Sequence, residues 1–184
     1  MSTNAKQGAR EKILVAAADI ARDVGPANLS LDAVAARAGV SKGGLLYHFP
    51  AKVHLLEALI EEHTRTFQNA LDRNCEALGS GPCALLKSYL EVFVAEQEQH
   101  LPPPSGVLAA MVQNPELLVP IQRFKRDMLD RLKADSPDPA TALTVFLALE
   151  GLRSLELFGV GVLTQEESRG AVAALEALVA GTRR

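Results

Sequence analysis

Side chains that can bind phosphate oxygens and base edges are concentrated between residues 30 and 52. Hydroxyl, phenol, imidazole and ammonium groups donate hydrogen bonds to phosphates, and such contacts fix the position of a protein on a nucleic acid. Lys42 can also donate to a guanine edge, and Leu46 can contact the methyl group of thymine. The expected phosphate donors are Ser30, Ser41, Lys42, Tyr47, His48 and Lys52. Their grouping indicates nucleic-acid binding.

Two adjacent glycines, Gly43 and Gly44, lie among these donors. In a helix interior each glycine costs about 1 kcal/mol relative to alanine, so the pair weakens the local helix. Because they lack side chains, these residues let a helix backbone approach base edges closely, and we include both in the expected DNA contact. The alternative is that the pair only loosens the start of a helix.

The sequence contains no arrangement of residues that is typical of an enzyme or a metal site. Its histidines, at positions 48, 54, 63 and 100, have neither a histidine four residues away nor a cysteine pair. The nucleophile motif G-x-S-x-G, the P-loop and the dinucleotide-binding glycine motif do not occur. We therefore expect no catalytic residues, no metal and no cofactor. The alternative is a small helical enzyme or binding protein whose N-terminal helices imitate a DNA-binding motif.

Two short helices joined by a tight turn are predicted to position the donors. Ser30 and Ser41 are each suited to cap the N-terminus of a helix, and Gly39 is suited to a left-handed C-cap. In the second helix Leu45 and Phe49 face inward, which leaves the donors on the opposite side. The buried face of the first helix follows a period near 3.6 and comprises Leu31, Val34, Ala35 and Ala38. This is a helix-turn-helix, whose second helix can enter the major groove.

The composition favours an all-α fold. Apolar residues make up 48% of the 184 residues but aromatic residues only 4%, and the abundant alanine and leucine are good helix formers. Apolar periodicity, interrupted by glycine- and proline-rich breaks at 79–82, 101–105 and 136–139, predicts about nine helices. We expect an N-terminal three-helix domain containing the helix-turn-helix at 8–68 and a C-terminal helical domain at 69–184.

Charge is distributed unevenly along the chain. Residues 1–52 carry a net charge of +3 and the remainder −6, which fits contact with nucleic acid at one end. No apolar run reaches the roughly 18–20 residues that a membrane span needs, and the polar N-terminus does not resemble a signal peptide. Cys75 and Cys83 form no motif spacing. These features predict a reduced cytoplasmic protein with no membrane partner.

The stretch from Ala38 to Lys52, AGVSKGGLLYHFPAK, resembles the DNA-binding signature of the TetR/AcrR regulators. The similarity includes the Gly-Val-Ser turn, Gly43, Leu45 and the His48–Phe49 pair, and its strong part covers about residues 9–68. One position departs: Leu46 replaces a tyrosine that in the family commonly touches the DNA backbone. This protein should therefore rely more on Tyr47 and His48, and its base preference should differ.

The resemblance also implies how the C-terminal domain works. Family members are two-fold dimers that bind pseudo-palindromic operators on double-stranded DNA, usually as repressors, and leave the DNA when a small ligand enters the C-terminal domain. An apolar or amphipathic effector of unknown identity is therefore expected. The residues suggested to line its pocket are Phe67, Leu71, Phe93, Met111, Phe124, Met128 and Phe146. Arg153 is among the residues that could add polar contacts. The alternative is that these side chains are only core.

The last two helices are expected to form the homodimer. A long apolar helix over about residues 141–160, followed by an amphipathic one over about 166–180, suits a four-helix dimer interface. We expect Val172, Leu175, Leu178 and Val179 to face inward, and Gly151 indicates close helix approach or a helix end. Packing within one subunit is the alternative. Other roles stay open as well: a transcriptional activator, or a regulator that needs no ligand.

Overall fold

The computed structural model describes residues 8–24, 29–79, 81–98, 115–157 and 161–181. This part of the chain is helical and contains no strand, which confirms the all-α prediction. It forms one short 3₁₀ turn, Pro115–Leu117, and eight α-helices. The helices are α1 (Ala9–Val24), α2 (Leu31–Ala38), α3 (Lys42–His48), α4 (Lys52–Leu78), α5 (Ala84–Glu98), α6 (Leu118–Asp135), α7 (Pro139–Leu157) and α8 (Gln165–Gly181). A further helix expected near residues 106–112, and with it Met111, lies outside the described residues.

The described residues divide into two compact units. The first contains the residues up to His63 together with 115–120, and the second contains those from Thr64 to 98 and from Ile121 onwards. Helix α4 supplies Leu55 to the core of the first unit, and Phe67 and Leu71 to the core of the second.

The core of the first unit is built by α1, α2, α3 and the beginning of α4. Apolar residues spaced three and four apart on α1 form one buried stripe, because this spacing matches the helical period. They pack with the inward residues of the two short helices. The most deeply buried members are Ile13, Ala17, Leu29, Val34, Leu45, Phe49 and Leu55. This small core fixes how α2 and α3 are oriented.

The core of the second unit joins the second half of α4 to α5, α6, α7 and α8. Its fully buried residues include Leu71, Leu86, Phe93, Met128, Leu132 and Leu149. In α8, Leu175 and Val179 face this core as expected, and Val172 packs against it half-buried. The inward orientation expected for Leu178 is wrong, since this side chain is 41% exposed. Leu178 lies at the edge of the face that α8 turns towards α5 and α7.

Aspartate side chains cap the N-termini of two helices in the second unit, α5 and α7. The carboxylate of Asp135 accepts hydrogen bonds from the backbone amides of Leu85, at 2.9 Å, and Leu86, at 3.3 Å, and so caps α5. Asp138 caps α7 and accepts a hydrogen bond from the Thr141 hydroxyl at 2.6 Å. That hydrogen bond lowers the pKa of the Asp138 carboxyl. These contacts satisfy amides that have no partner within the helix.

No helix in the described ranges is both long and apolar enough to cross a membrane.

Candidate nucleic-acid interface

The helix-turn-helix is shaped by three local capping interactions. The Ser30 hydroxyl oxygen accepts a hydrogen bond from the amide of Ala33 at 3.1 Å, and the Ser41 oxygen accepts one from the amide of Gly44 at 3.1 Å. Between them Gly39 has a φ of 66°, the left-handed conformation in which glycine is not strained. The predicted N-caps and C-cap are confirmed. In both caps the serine oxygen acts as acceptor, a role that still allows its hydroxyl proton to be donated to a phosphate.

Helix α3 buries one side and exposes the other. Leu45 is fully buried and Phe49 is 3% exposed, as the spacing predicted. On the opposite side Tyr47 is 84% exposed and Leu46 is 36% exposed, and Lys42 and Gly43 are exposed as well. A tyrosine so poorly covered by its own chain is available to a partner. The structure therefore presents Lys42, Gly43, Leu46 and Tyr47 on one surface.

Three further predicted contact residues are half-buried. The ring of His48 packs edge to face against that of Tyr47, with centroids 5.1 Å apart. Gly44 lies in the first turn of α3 and Lys52 begins α4. Ser30 and Ser41, at the N-termini of α2 and α3, are exposed. That these residues contact DNA stays a prediction.

The two glycines of α3 differ in the space around them. A Cβ added to Gly44 would lie 3.2 Å from the hydroxyl oxygen of Ser41, so glycine at this position leaves room for the cap. A Cβ added to Gly43 would meet no atom within 4 Å. No packing contact within the protein therefore requires glycine at position 43, and glycine there weakens the exposed helix.

Two ion pairs of the helix-turn-helix were not anticipated from the sequence. The ammonium of Lys42 lies 2.9 Å from a carboxylate oxygen of Asp32, and the guanidinium of Arg37 lies 2.9 Å from that of Asp23. Asp32 is in the first turn of α2, where its charge also suits the helix dipole. Asp32 and Lys42 are ten residues apart on different helices, and this spacing does not predict an ion pair between them. The structure thus adds Asp32 as the ion-pair partner of Lys42.

In the second unit, the suggested pocket residues that the structure describes come together in one cluster. Phe67, Leu71, Phe93, Met128 and Phe146 are buried, and Phe124 packs against them half-buried. The rings of Phe67 and Phe124 meet edge to face at 6.0 Å, and those of Tyr89 and Phe146 stack at 6.0 Å. That these residues line a ligand pocket stays a prediction, with a purely structural core as the alternative.

A charged network is attached to this cluster. The guanidinium of Arg153 lies 2.8 Å from a carboxylate oxygen of Glu96 and 3.1 Å from one of Glu150. The Tyr89 hydroxyl accepts from Arg153 at 3.1 Å and donates to Glu150 at 2.9 Å. Lys125 forms an ion pair with the second oxygen of Glu150.

The network shifts the protonation equilibria of its members. Burial raises the pKa of the Tyr89 phenol above its ordinary value. Burial alone would also raise the pKa of Glu150, but Lys125 and Arg153, with the Tyr89 hydrogen bond, hold that pKa below its ordinary value. Burial opposes the charge of Arg153, yet Tyr89, Glu96 and Glu150 raise its pKa. Glu150 and Arg153 are therefore both charged at neutral pH.

These features define an all-α protein with an N-terminal helix-turn-helix. Two family models match the sequence: residues 13–59 match "Bacterial regulatory proteins, tetR family", and residues 84–180 match "Tetracyclin repressor-like, C-terminal domain". The chain belongs to the TetR family and is a DNA-binding transcriptional regulator, which confirms the resemblance noted in its sequence. No curated protein matches the sequence.

Solved structures show the same fold at low sequence identity. A TetR transcription regulator from Haloarcula marismortui is 19% identical with a TM-score of 0.74, and the match covers 94% of this chain and 97% of that one. A TetR transcriptional regulator from Legionella pneumophila is 17% identical with a TM-score of 0.70, covering 94% and 98%. The multidrug binding protein EbrR, complexed with malachite green, is 22% identical with a TM-score of 0.67, covering 92% and 97%.

Among the described residues, no group of three or more His, Cys, Asp or Glu side chains is arranged to hold a metal ion.

Proposed function

We propose that this protein is a homodimeric repressor that binds a palindromic operator through α3 and leaves it when a small apolar or amphipathic molecule binds the second unit. The observation that carries the proposal is the exposed surface of α3. It combines a protruding phenol, an ammonium group and an uncovered stretch of backbone at Gly43. A helix of this kind can place its backbone and side chains against base edges in the major groove.

Exposed faces of the last two helices support dimerisation. On α7 one face is free of charged residues and consists of Ala140, Leu143, Thr144, Leu147 and Gly151, all exposed. On α8 a face of mostly small residues contains Gly170, Ala174, Ala177, Leu178 and Gly181, also exposed. A Cβ added to Gly151 or Gly170 would meet nothing within 4 Å in this chain. Two such faces, brought together with their copies in a second subunit, form a four-helix interface.

The aromatic cluster of the second unit supports effector binding. Ligand sites in proteins are mainly apolar with a few polar groups that orient the ligand. Phe67, Phe93, Phe124 and Phe146 supply the apolar part, and Arg153 with its partners supplies polar groups. EbrR, which shares the fold, is described as a multidrug binding protein in complex with malachite green.

Release from the operator would follow from a change in the dimer. Each recognition helix occupies one major groove, so the two must lie about one DNA turn apart, roughly 34–36 Å. An effector that binds better to a dimer with a different spacing reduces the fraction of protein able to bind DNA. Helix α4 supplies side chains to the cores of both units. We therefore assign α4 the role of transmitting the effect of effector binding to the recognition helix.

The proposal is tested first at the DNA. Fragments retained by the intact protein from a random library are sequenced, and the enriched site is used in gel-shift titrations. Two half-sites related by a two-fold axis are expected. Replacing Tyr47 and Lys52 by alanine should abolish binding, while Val15→Ala, at an exposed position of α1, should bind like the wild type. Circular dichroism and light scattering check folding and dimerisation. Unchanged affinity of the double variant would overturn the assignment of α3.

The repressor role is tested separately with a reporter gene placed behind the enriched site. Co-expression of the protein should lower reporter output, and a non-binding variant should restore it. An increase in output on co-expression would identify an activator instead.

A further inference from the structure

Three aromatic rings and two carboxylates, all groups that attract positive charge, surround the Arg153 guanidinium. Its central carbon lies 5.0 Å from the ring centroid of Phe67, 5.3 Å from that of Tyr89 and 5.3 Å from that of Phe93. We call these three rings, with the carboxylates of Glu96 and Glu150, the Arg153 cage. Cations within about 6 Å of an aromatic face are attracted by its quadrupole, most strongly where water is excluded.

We propose that the Arg153 cage is an effector subsite for a planar organic cation. The cation binds there by displacing the guanidinium of Arg153. This inference rests on the proposed effector-binding function and specifies the chemistry of the effector. The three rings come from α4 and α5, and Arg153 itself comes from α7. A bound cation would therefore exchange one contact between helices for another, which is what a ligand must do to shift a conformational equilibrium.

The charge balance favours a cation over an anion. Arg153 and Lys125 together neutralise Glu96 and Glu150. When the guanidinium leaves, the remaining three groups carry one net negative charge next to three aromatic faces, and a monovalent cation restores neutrality. An anion entering the same place would meet two carboxylates, and like charges at short range in a partly buried site repel strongly.

The guanidinium is able to leave the cage. Its side chain is 24% exposed and that of its partner Glu96 is 34% exposed, so the network lies where the core meets solvent. Arginine has a long flexible stem that lets the charged group move into water without movement of the backbone. Removing one partner of a buried ion pair is costly because it leaves the other charge uncompensated, and an incoming cation avoids this cost by pairing with the carboxylates that Arg153 leaves.

The experiment uses three naphthalene derivatives of the same shape and different charge: the 2-carboxamidine, a cation; the 2-carboxamide, which is neutral; and the 2-carboxylate, an anion. Each is titrated calorimetrically into the intact protein without DNA. We expect the amidine to bind about ten-fold or more tightly than the amide, since cation–π and ionic contacts are available to the amidine alone. The carboxylate should bind most weakly. Glu96→Gln should weaken amidine binding and leave amide binding unchanged.

Variants of the arginine test displacement directly. Arg153→Met, which keeps an apolar stem but removes the internal competitor, should bind the amidine about ten-fold more tightly than the wild type, because no cation must first be expelled. Arg169→Met, at an exposed position of α8, should behave like the wild type. If Arg153→Met does not fold, the affinities of the three compounds for the wild-type protein still show whether the site prefers a cation.

Three results would overturn the inference: tightest binding by the carboxylate, equal binding of amidine and amide, or no binding of the amidine. None of these depends on operator binding. A protein that binds the amidine but no DNA would contradict the proposed repressor, and one that binds its operator but not the amidine would contradict only the cation subsite.

Discussion

The ammonium of Lys42, the first residue of α3, forms a 2.9 Å ion pair with Asp32, the second residue of α2. The pair joins the two helices across their turn and is exposed, with 60% of the lysine side chain and 71% of the aspartate side chain accessible. Exposed ion pairs contribute only about 0.2–1 kcal/mol to stability. On the proposed function Asp32 competes with DNA phosphate for Lys42, and loss of the ion pair costs the fold little.

Replacing Asp32 by asparagine should strengthen DNA binding several-fold. The change frees Lys42 and removes a negative charge beside it. If Lys42 then neutralises one additional phosphate, the slope of log K against log salt becomes steeper by about 0.9. Fluorescence anisotropy over a range of KCl concentrations measures both quantities. Asp130→Asn breaks a comparable exposed ion pair with Arg126 on α6 and serves as the control. An equal gain in that variant would show a general effect of net charge.

Replacing Gly43 by alanine should maintain or raise the stability of the protein while lowering its affinity for the operator. The added methyl group meets open space in the protein, and alanine favours a helix over glycine by up to about 1 kcal/mol. The variant should melt at the same temperature as the wild type or slightly higher. If the backbone at this position approaches base edges, the same methyl group should reduce operator affinity at least several-fold. Differential scanning calorimetry and gel shifts on one preparation measure the two effects. Full operator affinity would show that Gly43 only loosens the start of α3.

Replacing Leu147 by glutamate should dissociate the proposed dimer. Leu147 is 59% exposed in the middle of the uncharged face of α7, and a charge placed in an apolar interface without a partner is costly. Because the side chain contributes little to the core of its own subunit, helix content should not change. Light scattering after gel filtration measures the mass, and circular dichroism measures the helix content. Val15→Glu, exposed on α1, is the matched control and should remain dimeric. A dimeric Leu147→Glu variant would contradict the assigned interface.

Replacing Glu150 by glutamine should change how stability depends on pH. The pKa of Glu150 is lowered in the folded protein, below its ordinary value of 4.5. A carboxyl with a lowered pKa adds stability above its unfolded pKa and loses that contribution as the pH falls through the folded pKa. The variant should therefore be less stable than the wild type at pH 6–7 and approach it near pH 3.

Urea unfolding at several pH values measures this difference in the free energy of unfolding. Glu156→Gln, at an exposed position on the same helix, provides the control and should follow the wild type throughout. A difference between Glu150→Gln and the wild type that is the same at pH 3 and pH 7 would show that the carboxylate charge is not what stabilises the network.

The helix-turn-helix was largely predictable from the sequence by itself. The caps at Ser30 and Ser41 and the left-handed turn at Gly39 depend on atoms within three or four residues, so residue type and spacing determine them. The same holds for the inward orientation of Leu45 and Phe49, which follows from the helical period. The local sequence also contained the signature that placed the chain in its family.

Tertiary structure decided the features that join distant parts of the chain. Phe67, Tyr89 and Arg153 are far apart in sequence and meet only because α4, α5 and α7 pack together. The exposure of Leu178 was likewise not predictable, because an apolar period shows which residues share a face but not where the covered part of that face ends. Sequence determined the DNA-binding motif through short-range hydrogen bonds and helical periodicity. Packing between helices determined the charge network of the second unit, since only it fixes which side chains approach one another.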